Sequence, residues 1–351
     1  MDRARLASLL AQFPTLTVLV VGDYFLDKYL WIDPRLAEVS LETGLEAHQV
    51  VEVRCSAGAA GTVAANLRGL GVKVRALGII GDDGEGYELK RALRALGVEA
   101  SGLIECPDRC TPTYCKPMRR EALPGGAARE LNRLDIKNRA PSSAEVEDEI
   151  MARLREALPG VHGVVIADQV SEADCGVITT RVRAELCAQS RALPEKVFAA
   201  DSRERIELFR DVILKPNARE AVRAIRPGAD PSDHQVVEAC GLALMAHARR
   251  PVFVTVGASG ILIFSEQGVE LAPAPLVSGP IDTVGAGDSV MAGLVSALCA
   301  GASLREAALI GNLVASVTIQ QIGATGIATP EQVLGQPLPT GAVSNCRPPA
   351  L

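Results

Sequence analysis

The sequence has few aromatic residues and few histidines, and it carries no excess of positive charge. Phe, Trp and Tyr make up 3% of the 351 residues, there are four histidines, and the formal net charge is −6. This balance disfavours a nucleic-acid partner, because phosphate backbones attract a basic surface and unpaired bases stack on aromatic rings. With 48% hydrophobic and 22% charged residues, the composition is typical of a folded globular protein.

Patterns for a disulfide framework, a structural zinc site and a membrane span are also missing. The nine cysteines form no C-x-x-C pair, and no histidine is near Cys106, Cys110 and Cys115, so we expect reduced thiols and no metal there. The longest uncharged stretch, 307–330, contains Asn, Gln and Gly and predicts a buried helix and loop. The N-terminus predicts a short amphipathic helix rather than a secretory signal. We expect a cytoplasmic protein without a membrane segment.

Short apolar strands alternate with helices along most of the chain. The run TVLVVG at 17–22 is typical of a strand buried on both faces. Helices are predicted at 61–70, 84–96, 144–158, 174–190, 218–225, 232–247, 286–300 and 303–320. This alternation predicts an α/β fold, with a doubly wound, mainly parallel sheet and helices on both of its faces.

Two stretches interrupt the alternation, at about 24–55 and 105–140. We expect them to pair as a small β-rich lid over the carboxyl ends of the main strands, where open α/β sheets bind ligands. The exposed edges of such a lid predict a homodimer. The whole arrangement predicts one domain over 1–334, followed by a Pro/Gly-rich tail, 335–351, that frays.

The segment DTVGAGD at 282–288 is the sharpest local feature. Gly285 and Gly287 permit a tight turn and a helix follows, so backbone N–H groups and the helix dipole converge on one point. An anion is expected there, and a phosphate in transfer fits. Asp288 inside such a site has a chemical use, as the base that accepts a proton from an attacking hydroxyl. The alternative is an ordinary N-cap aspartate after a glycine turn.

This segment and four others, in order over about 15–330, resemble the signatures of the ribokinase-like (PfkB) carbohydrate kinases. The others are VVGDYFLDKYLW at 20–31, AGAAGTVAAN at 57–66, KPNARE at 215–220 and TVGASG at 255–260. The resemblance implies a ribokinase-like fold and an enzyme that phosphorylates a sugar with ATP and Mg²⁺. Shorter matches, including Ser40-Leu41-Glu42 and Arg133-Leu134-Asp135, resemble the heptose-7-phosphate kinase branch, which phosphorylates the anomeric hydroxyl.

The resemblance also implies roles at the catalytic end. Asp288 is the base, and the N–H groups of Gly285, Ala286 and Gly287 stabilise charge on the transferred phosphoryl group. Asn217 and Glu220 hold Mg²⁺, largely through water; a Pro-Asn turn before a helix with Glu in its first turn is the alternative. The further candidates are Thr255, Gly257, Gly260 and Asn312 for the nucleotide and Asp282 for a monovalent cation such as K⁺. For Asn312 a satisfied core amide is the alternative.

On the acceptor side, Asp27 is expected to accept hydrogen bonds from sugar hydroxyls, because it follows a buried apolar strand. The other acceptor-side candidates are Asp23, Gly58, Thr62, Arg133 and Asp135. A cap is the alternative for Asp23, and an ion pair within the lid is the alternative for Arg133 and Asp135.

The sugar loop departs from the family pattern at two positions. Ala59 stands where a second glycine is expected, and Thr62 replaces an asparagine. These changes bear on the identity of the sugar more than on phosphoryl transfer. A kinase for another small sugar or a nucleoside, and a non-catalytic sugar-binding relative, therefore stay open as alternatives.

Overall fold

The computed structural model describes residues 1–120, 129–323 and 325–338. The helices in these ranges are α1 (Arg3–Leu10), α2 (Ala60–Gly69), α3 (Gly84–Ala95), α4 (Ala144–Ala157), α5 (Thr180–Ala192), α6 (Ala218–Ile225), α7 (His234–Ala248), α8 (Ala286–Cys299), α9 (Leu304–Thr318) and α10 (Pro330–Gly335). The strands are β1 (Thr17–Gly22), β2 (Tyr24–Ile32), β3 (Glu38–Val39), β4 (Glu46–Ala47), β5 (Val50–Ala59), β6 (Lys73–Gly81), β7 (Glu99–Cys106), β8 (Thr113–Arg119), β9 (Arg129–Glu130), β10 (Leu134–Ile136), β11 (Gly163–Asp168), β12 (Val197–Ser202), β13 (Ile213–Leu214), β14 (Val252–Thr255), β15 (Gly260–Ser265) and β16 (Gly268–Pro273).

The large sheet has the strand order β16-β15-β14-β13-β12-β11-β1-β6-β7. Neighbouring strands from β7 to β14 are parallel, and β15 and β16 are antiparallel. In the central strand β1, Val18 and Val20 pack into the core on one face while Leu19 and Val21 pack into the core on the other. Burial on both faces explains the uninterrupted apolar run.

Helices cover both faces of this sheet. The first core holds buried side chains of α1, α2, α3, α8 and α9, and the second core holds those of α4, α5, α6 and α7. The predicted doubly wound α/β fold is therefore confirmed.

A second sheet, with the order β10-β8-β2-β5 and with β9 beside β8, is built from the two stretches that interrupt the alternation. Its register aligns Asp27 with Ser56 on one side and with Tyr114 on the other. Because strand side chains alternate between faces, these residues share a face, which we call the inner face. The opposite, outer face carries Lys28 and Val53. Closure of this sheet as a lid and the domain limits 1–334 remain predictions.

The structure differs from the sequence-based prediction at four elements. The helix expected from 174 begins only at Thr180, because Asp174 has a φ of +56° and its Oδ1 accepts the Thr180 N–H at 2.6 Å. Strands β7 and β16 and helix α10 were not predicted. The tail expected at 335–351 lies outside the described residues beyond position 338.

The stretch predicted as a buried helix and loop contains most of α9, whose described side chains are largely buried. Within the described ranges, no helix combines the length and apolarity needed to cross a lipid bilayer.

Candidate active site

Polar side chains gather at the carboxyl ends of the parallel strands. Asp201 lies in β12, Lys215 follows β13 and Thr255 ends β14, so all three face the edge of the sheet where open α/β folds bind ligands. The N-terminus of α8 reaches the same place, since a β-carbon on Gly287 would lie 3.5 Å from Lys215 Nζ. The DTVGAGD segment is thus brought against the ends of the strands.

The turn before α8 requires glycine at position 285. Gly285 is the N-cap residue with a φ of +78°, which glycine adopts without strain, and a β-carbon there would lie 2.7 Å from Thr325 Cγ2. The Ala286 N–H closes the turn by donating to the Thr283 carbonyl at 3.2 Å. The N–H groups of Gly287 and Asp288 have no acceptor within the helix because they belong to its first turn. The N–H group of Gly285 also donates to no acceptor in the described part of the chain, so Gly285, Gly287 and Asp288 offer donors to an anion, whereas the Ala286 N–H, which we also expected to do so, is used in the turn.

Asp288 lies in the first turn of α8 and is partly buried. Burial raises the pKa of its carboxyl group to about 7, the Asp201 carboxylate adds to the rise, and the Lys215 ammonium opposes it. A carboxyl group that titrates near neutrality at a helix N-terminus can hold or release a proton beside a bound anion.

Lys215 is a residue of this site that the sequence analysis did not assign. It is 2% exposed, and its Nζ lies 2.9 Å from Asp201 Oδ2. The carboxylates of Asp201, Glu220 and Asp288 raise its pKa against the effect of burial, so the side chain is a cation. The signal in the sequence was a lysine directly after the apolar run of β13, where a charged side chain needs a partner.

Asn217 and Glu220 form a capping box at the N-terminus of α6. Asn217 Oδ1 accepts the Glu220 N–H at 2.9 Å, and Glu220 Oε2 accepts the Asn217 N–H at 2.8 Å. The structure therefore contains the capped helix that we gave as the alternative to magnesium binding by these two residues. Asn217 is also bridged to Thr255 of β14, so three predicted nucleotide-side residues are brought together.

The donor set here suits a magnesium ion that arrives with phosphates. Within the described ranges, no group of three His, Cys, Asp or Glu side chains is arranged to hold a metal alone. Burial and the Asp201 carboxylate raise the pKa of Glu220, while Lys215 and Arg223 oppose the rise. Mg²⁺ keeps much of its water and commonly takes one or two carboxylates plus phosphate oxygens, and Glu220 could supply such a carboxylate. Cys106, Cys110 and Cys115 are free thiols.

The loop after β14 contains two glycines in conformations that favour glycine. Gly257 has a φ of +59°, and a β-carbon on it would meet open space. Gly260 has a φ of +113°, and a β-carbon on it would lie 2.2 Å from the Ala272 carbonyl oxygen. Gly257 thus borders room for a ligand beside Thr255, whereas Gly260 permits the close pairing of β15 with β16.

Asn312 and Asp282 make contacts within the protein. Asn312 Nδ2 donates to the carbonyls of Ala272 at 2.9 Å and Pro273 at 3.2 Å, so it is a satisfied core amide that ties α9 to β16. Asp282 Oδ1 accepts the Val284 N–H at 3.0 Å. The Asp282 carboxylate therefore shapes the loop that enters α8.

On the inner face of the second sheet, Asp27 is paired with a lysine. Asp27 Oδ1 lies 2.9 Å from Lys116 Nζ, and Lys116 also stands 4.8 Å from the centre of the Tyr29 ring. A β-carbon on Gly58 would lie 2.6 Å from Asp27 Oδ2, so glycine is what admits this carboxylate. Lys116 was not singled out in the sequence, because only the pairing of β2 with β8, two strands far apart in the chain, places it here.

Thr62 and Ala59 link the second sheet to the turn before α8. A β-carbon on Gly285 would lie 3.3 Å from Thr62 Cγ2, so Thr62 lies beside the anion site. Ala59 is the N-cap of α2 with φ +53° and ψ −117°, a region that glycine occupies far more readily. This backbone conformation explains why glycine is expected at position 59. Alanine adopts the same conformation with strain.

Asp23 is directed at backbone groups rather than at open space. Its carboxylate accepts N–H groups of Gln169 at 2.7 Å, Val170 at 2.9 Å and Val177 at 2.7 Å. It is 3% exposed, and burial and the nearby Asp168 raise its pKa to about 6. We propose that Asp23 holds the loops after β11 to the end of β1, in line with the alternative of a cap.

Arg133 and Asp135 form an ion pair on the second sheet. Arg133 Nε lies 2.6 Å from Asp135 Oδ1, and the guanidinium lies 4.0 Å from the centre of the Tyr114 ring. The structure therefore contains the ion pair that we gave as the alternative to substrate contact by these two residues. Tyr114 aligns with Asp27, so the pair is held on the inner face.

Known proteins resemble the chain in sequence and in fold. The bifunctional protein HldE of Trichlorobacter lovleyi is 29% identical over 348 residues, which is 95% of this chain and 65% of that protein. The structure of Arabidopsis thaliana ribokinase complexed with ribose and ATP has a TM-score of 0.65 at 17% identity and covers 91% of this chain and 97% of that one. Phosphofructokinase-2 of Escherichia coli, solved in complex with potassium, has a TM-score of 0.68 at 16% identity with the same coverage, 91% and 97%.

This chain therefore spans about two thirds of the length of that sequence relative, and the solved structures share its fold. The model of the pfkB family of carbohydrate kinases matches residues 26–122 and 136–332. These ranges include most of β2, all of β5 and β8, and the residues gathered at the ends of β12, β13 and β14 and at the start of α8, whereas Asp23, Arg133 and Asp135 lie outside them. The chain belongs to the pfkB family of carbohydrate kinases.

Proposed function

We propose that this sugar kinase transfers the γ-phosphoryl group of ATP to a sugar phosphate, heptose 7-phosphate, at its anomeric hydroxyl. The observation that carries the proposal is the position of Asp288 in the first turn of α8, among backbone N–H groups without acceptors and near the buried Lys215. Burial raises the pKa of its carboxyl group to about 7, which suits a group that accepts a proton near neutral pH. Beside it, the N–H groups of Gly287 and Asp288 and the Lys215 ammonium offer positive charge to a phosphoryl group.

In the proposed reaction, Asp288 accepts the proton of the attacking hydroxyl as its oxygen bonds to the γ-phosphorus, and the bond from that phosphorus to the β–γ bridging oxygen breaks, which releases ADP. The charge that develops on the transferred group is stabilised by the α8 N-terminus and by Lys215. Magnesium, held through water by Asn217 and Glu220 when bound, would supply positive charge to the phosphates of ATP. Closure of the second sheet would exclude water and so limit hydrolysis of ATP.

The nucleotide is assigned to the ends of β13 and β14. Thr255 and Gly257 border the open side of this edge, and Asn217 and Glu220 would hold the hydrated magnesium ion. The A. thaliana ribokinase of the same fold was solved as a complex with ATP, which supports the same nucleotide here. For Asp282, the loop geometry before α8 supports a monovalent-cation site, and the E. coli phosphofructokinase-2 was solved in complex with potassium.

The acceptor is assigned to the inner face of the second sheet. Asp27 and Gly58 would contact the sugar hydroxyls, Thr62 would lie near the reacting end, and Arg133 with Asp135 would lie at the β10 side. A cavity of about 410 Å³ is lined by Tyr29 and Ser56 of the inner face and by Thr62 and Thr325, the two residues that lie beside Gly285. The heptose phosphate rests on the resemblance at 20–31 and on the HldE relative.

We also propose that two copies associate through the outer face of the second sheet. Large apolar side chains are exposed on it: Val50 at 44%, Val53 at 54%, Leu134 at 63% and Ile136 at 41%. Such a surface is commonly covered by a partner. The cysteine pattern supports a cytoplasmic setting for this dimer.

The test is ADP release from Mg-ATP with a panel of acceptors: heptose 7-phosphate, fructose phosphates, ribose, fructose and adenosine. We expect turnover with heptose 7-phosphate at least 100-fold above the others in kcat/KM. Preference for another sugar or for adenosine would retain the kinase and exclude the heptose. Sugar binding without turnover of any acceptor would instead favour the non-catalytic relative.

A further inference from the structure

The inner face of the second sheet carries a cluster of two arginines and one tryptophan that the proposed reaction does not use. The Arg54 guanidinium lies 5.2 Å from the centre of the Trp31 ring, and the Arg120 guanidinium lies 5.6 Å from it. Glu52 binds both, with Oε1 at 2.5 Å from Arg54 Nε and Oε2 at 2.6 Å from Arg120 Nη2. We call these four residues the Trp31 cluster.

The charges of the Trp31 cluster do not balance. Within the four residues, one carboxylate faces two guanidinium groups. The nearby Asp33 is itself paired with Arg35 at 2.6 Å, and the next carboxylate on the inner face, Glu130, lies on the far side of β8, where it is aligned with Met118. In addition, the Trp31 Nε1–H is buried and has no hydrogen-bond acceptor within the described part of the chain. An excess cation and an unsatisfied donor in one place favour an anionic ligand with several oxygen atoms.

The position of the cluster connects it to the reacting end of the site. Trp31 and Arg54 line the same cavity of about 410 Å³ as Thr62 and Thr325, and Thr62 lies beside the α8 turn. Asp27, Tyr29 and Trp31 follow one another on the inner face of β2, at a spacing of about 7 Å per pair of residues. The cluster therefore lies beyond Asp27 along β2, and its Trp31 and Arg54 border a cavity that extends to Thr62, which lies beside Gly285.

We propose that the Trp31 cluster binds the phosphate that the acceptor already carries, at the end remote from the reacting hydroxyl. This inference rests on the proposed function for its acceptor and assigns the phosphate to Arg54 and Arg120. Arg54 presents a planar pair of donors that matches a phosphate. The side chains of Arg54 and Arg120 are 64% and 47% exposed, so they are free to turn from Glu52 and open the Trp31 Nε1–H to an oxygen atom of the ligand.

The first experiment compares heptose 7-phosphate with the same heptose lacking phosphate, in the Arg54→Gln and Arg120→Gln variants. Each variant should raise KM for the phosphorylated acceptor about tenfold or more, change kcat less than about threefold, and leave the unphosphorylated acceptor unaffected. Trp31→Phe, which keeps the ring and removes the donor, should raise the same KM by a smaller factor. Equal effects on both acceptors, or no effect in either arginine variant, would overturn the proposal while the kinase assignment stands.

Arg119→Gln is the matched control. Arg119 is the neighbour of Arg120 in sequence, but it is aligned with Ile32 and so belongs to the outer face. This variant removes the same charge from the same strand end and should leave KM for heptose 7-phosphate within about twofold of the wild type. An increase as large as that of Arg120→Gln would assign the effect to net charge rather than to the cluster.

A second experiment does not depend on turnover. Trp31 is the single tryptophan of the chain, so its fluorescence reports on this cluster alone. Titration with heptose 7-phosphate and fructose 6-phosphate should change the emission, and heptose and fructose should change it at least tenfold more weakly at equal concentration. Such a response in a protein that phosphorylates none of these sugars would support the subsite and reject the proposed function. Equal responses to both forms of each sugar would reject the subsite.

Discussion

At the scale of single residues, the role proposed for Asp288 as general base depends on the pH at which its carboxyl group titrates. Its carboxyl pKa is raised to about 7, and a general base works only when deprotonated. We therefore expect kcat/KM to rise with pH up to about pH 7 and then to level off. Asp288→Asn should lower kcat by about 100-fold or more and remove that dependence, because the amide accepts no proton.

The control for Asp288→Asn is the binding of the acceptor, measured by fluorescence of the single tryptophan. Binding should be retained within about threefold, since the substitution changes neither the size of the side chain nor the fold of α8. Unchanged turnover in Asp288→Asn would remove Asp288 from the reaction.

Lys215 lowers the pKa of Asp288, so replacing Lys215 with an uncharged residue should raise that pKa. Lys215→Met should move the acid limb of the kcat/KM profile to higher pH, because the carboxyl group loses the neighbouring cation, and should lower kcat about tenfold or more. Asp201→Asn should move the limb to lower pH, since it removes a negative charge that raises the same pKa. Shifts of the two limbs in one common direction would contradict the assigned electrostatics.

Ala59 adopts φ +53° and ψ −117°, which costs an alanine of the order of 1–3 kcal/mol. Glycine adopts this conformation freely but loses more chain entropy on folding, by about 0.5–1 kcal/mol. We expect Ala59→Gly to stabilise the protein by about 1 kcal/mol in urea-induced unfolding. Ala57→Gly, in the same strand without a positive φ, is the control and should destabilise. A loss of stability in Ala59→Gly would show that the alanine is not strained.

At the scale of elements, the segments with strong local patterns were predictable. The apolar run of β1 and the amphipathic helix α3 have the limits that their patterns indicate to within one residue. The sequence predicts the start of helix α5 at residue 174, six residues before its observed start at Thr180. The positive φ of Asp174 and its hydrogen bond with Thr180 delay the start of the helix. The spacing of apolar residues shows neither feature. Strand β16 was missed since half-exposed residues and a terminal proline weaken its alternation.

The contacts of Asp23 in the candidate site were likewise not predictable from the sequence pattern. Its place after β1 suggested a ligand contact, whereas its three hydrogen bonds to the backbone of 169–177 join two elements. Asp23→Ala would leave three N–H groups unsatisfied, each worth about 1–3 kcal/mol, and should lower the free energy of unfolding by about 3 kcal/mol or more. KM for the acceptor, measured on the folded fraction, should stay within about threefold. An increase of KM with unchanged stability would restore the substrate contact.

At the scale of the whole molecule, motifs predicted the fold and the glycine turn before α8, but the partners of each charge depend on pairing between distant segments. Lys116 reaches Asp27 only through the pairing of β8 with β2, and Lys215 reaches Asp288 only because β13 ends opposite the start of α8. Neither pair has a characteristic spacing in sequence. The sequence therefore does not predict which charged side chains pair, because that depends on contacts between segments far apart in the chain.

The outer face of the second sheet gives the last prediction, the association of two copies. Val53 and Leu134 are exposed at 54% and 63% on its two outermost strands, β5 and β10, and a second copy offers the same apolar surface by symmetry. Sedimentation of the purified protein should show a dimer, and Val53→Asp with Leu134→Asp should convert it to a monomer, because burying two carboxylates in an apolar contact is costly. Leu276→Asp is the matched control, since Leu276 is 98% exposed outside this sheet, and it should leave the dimer intact. A wild-type monomer, or a dimer that persists in the double variant, would exclude the outer face as the contact.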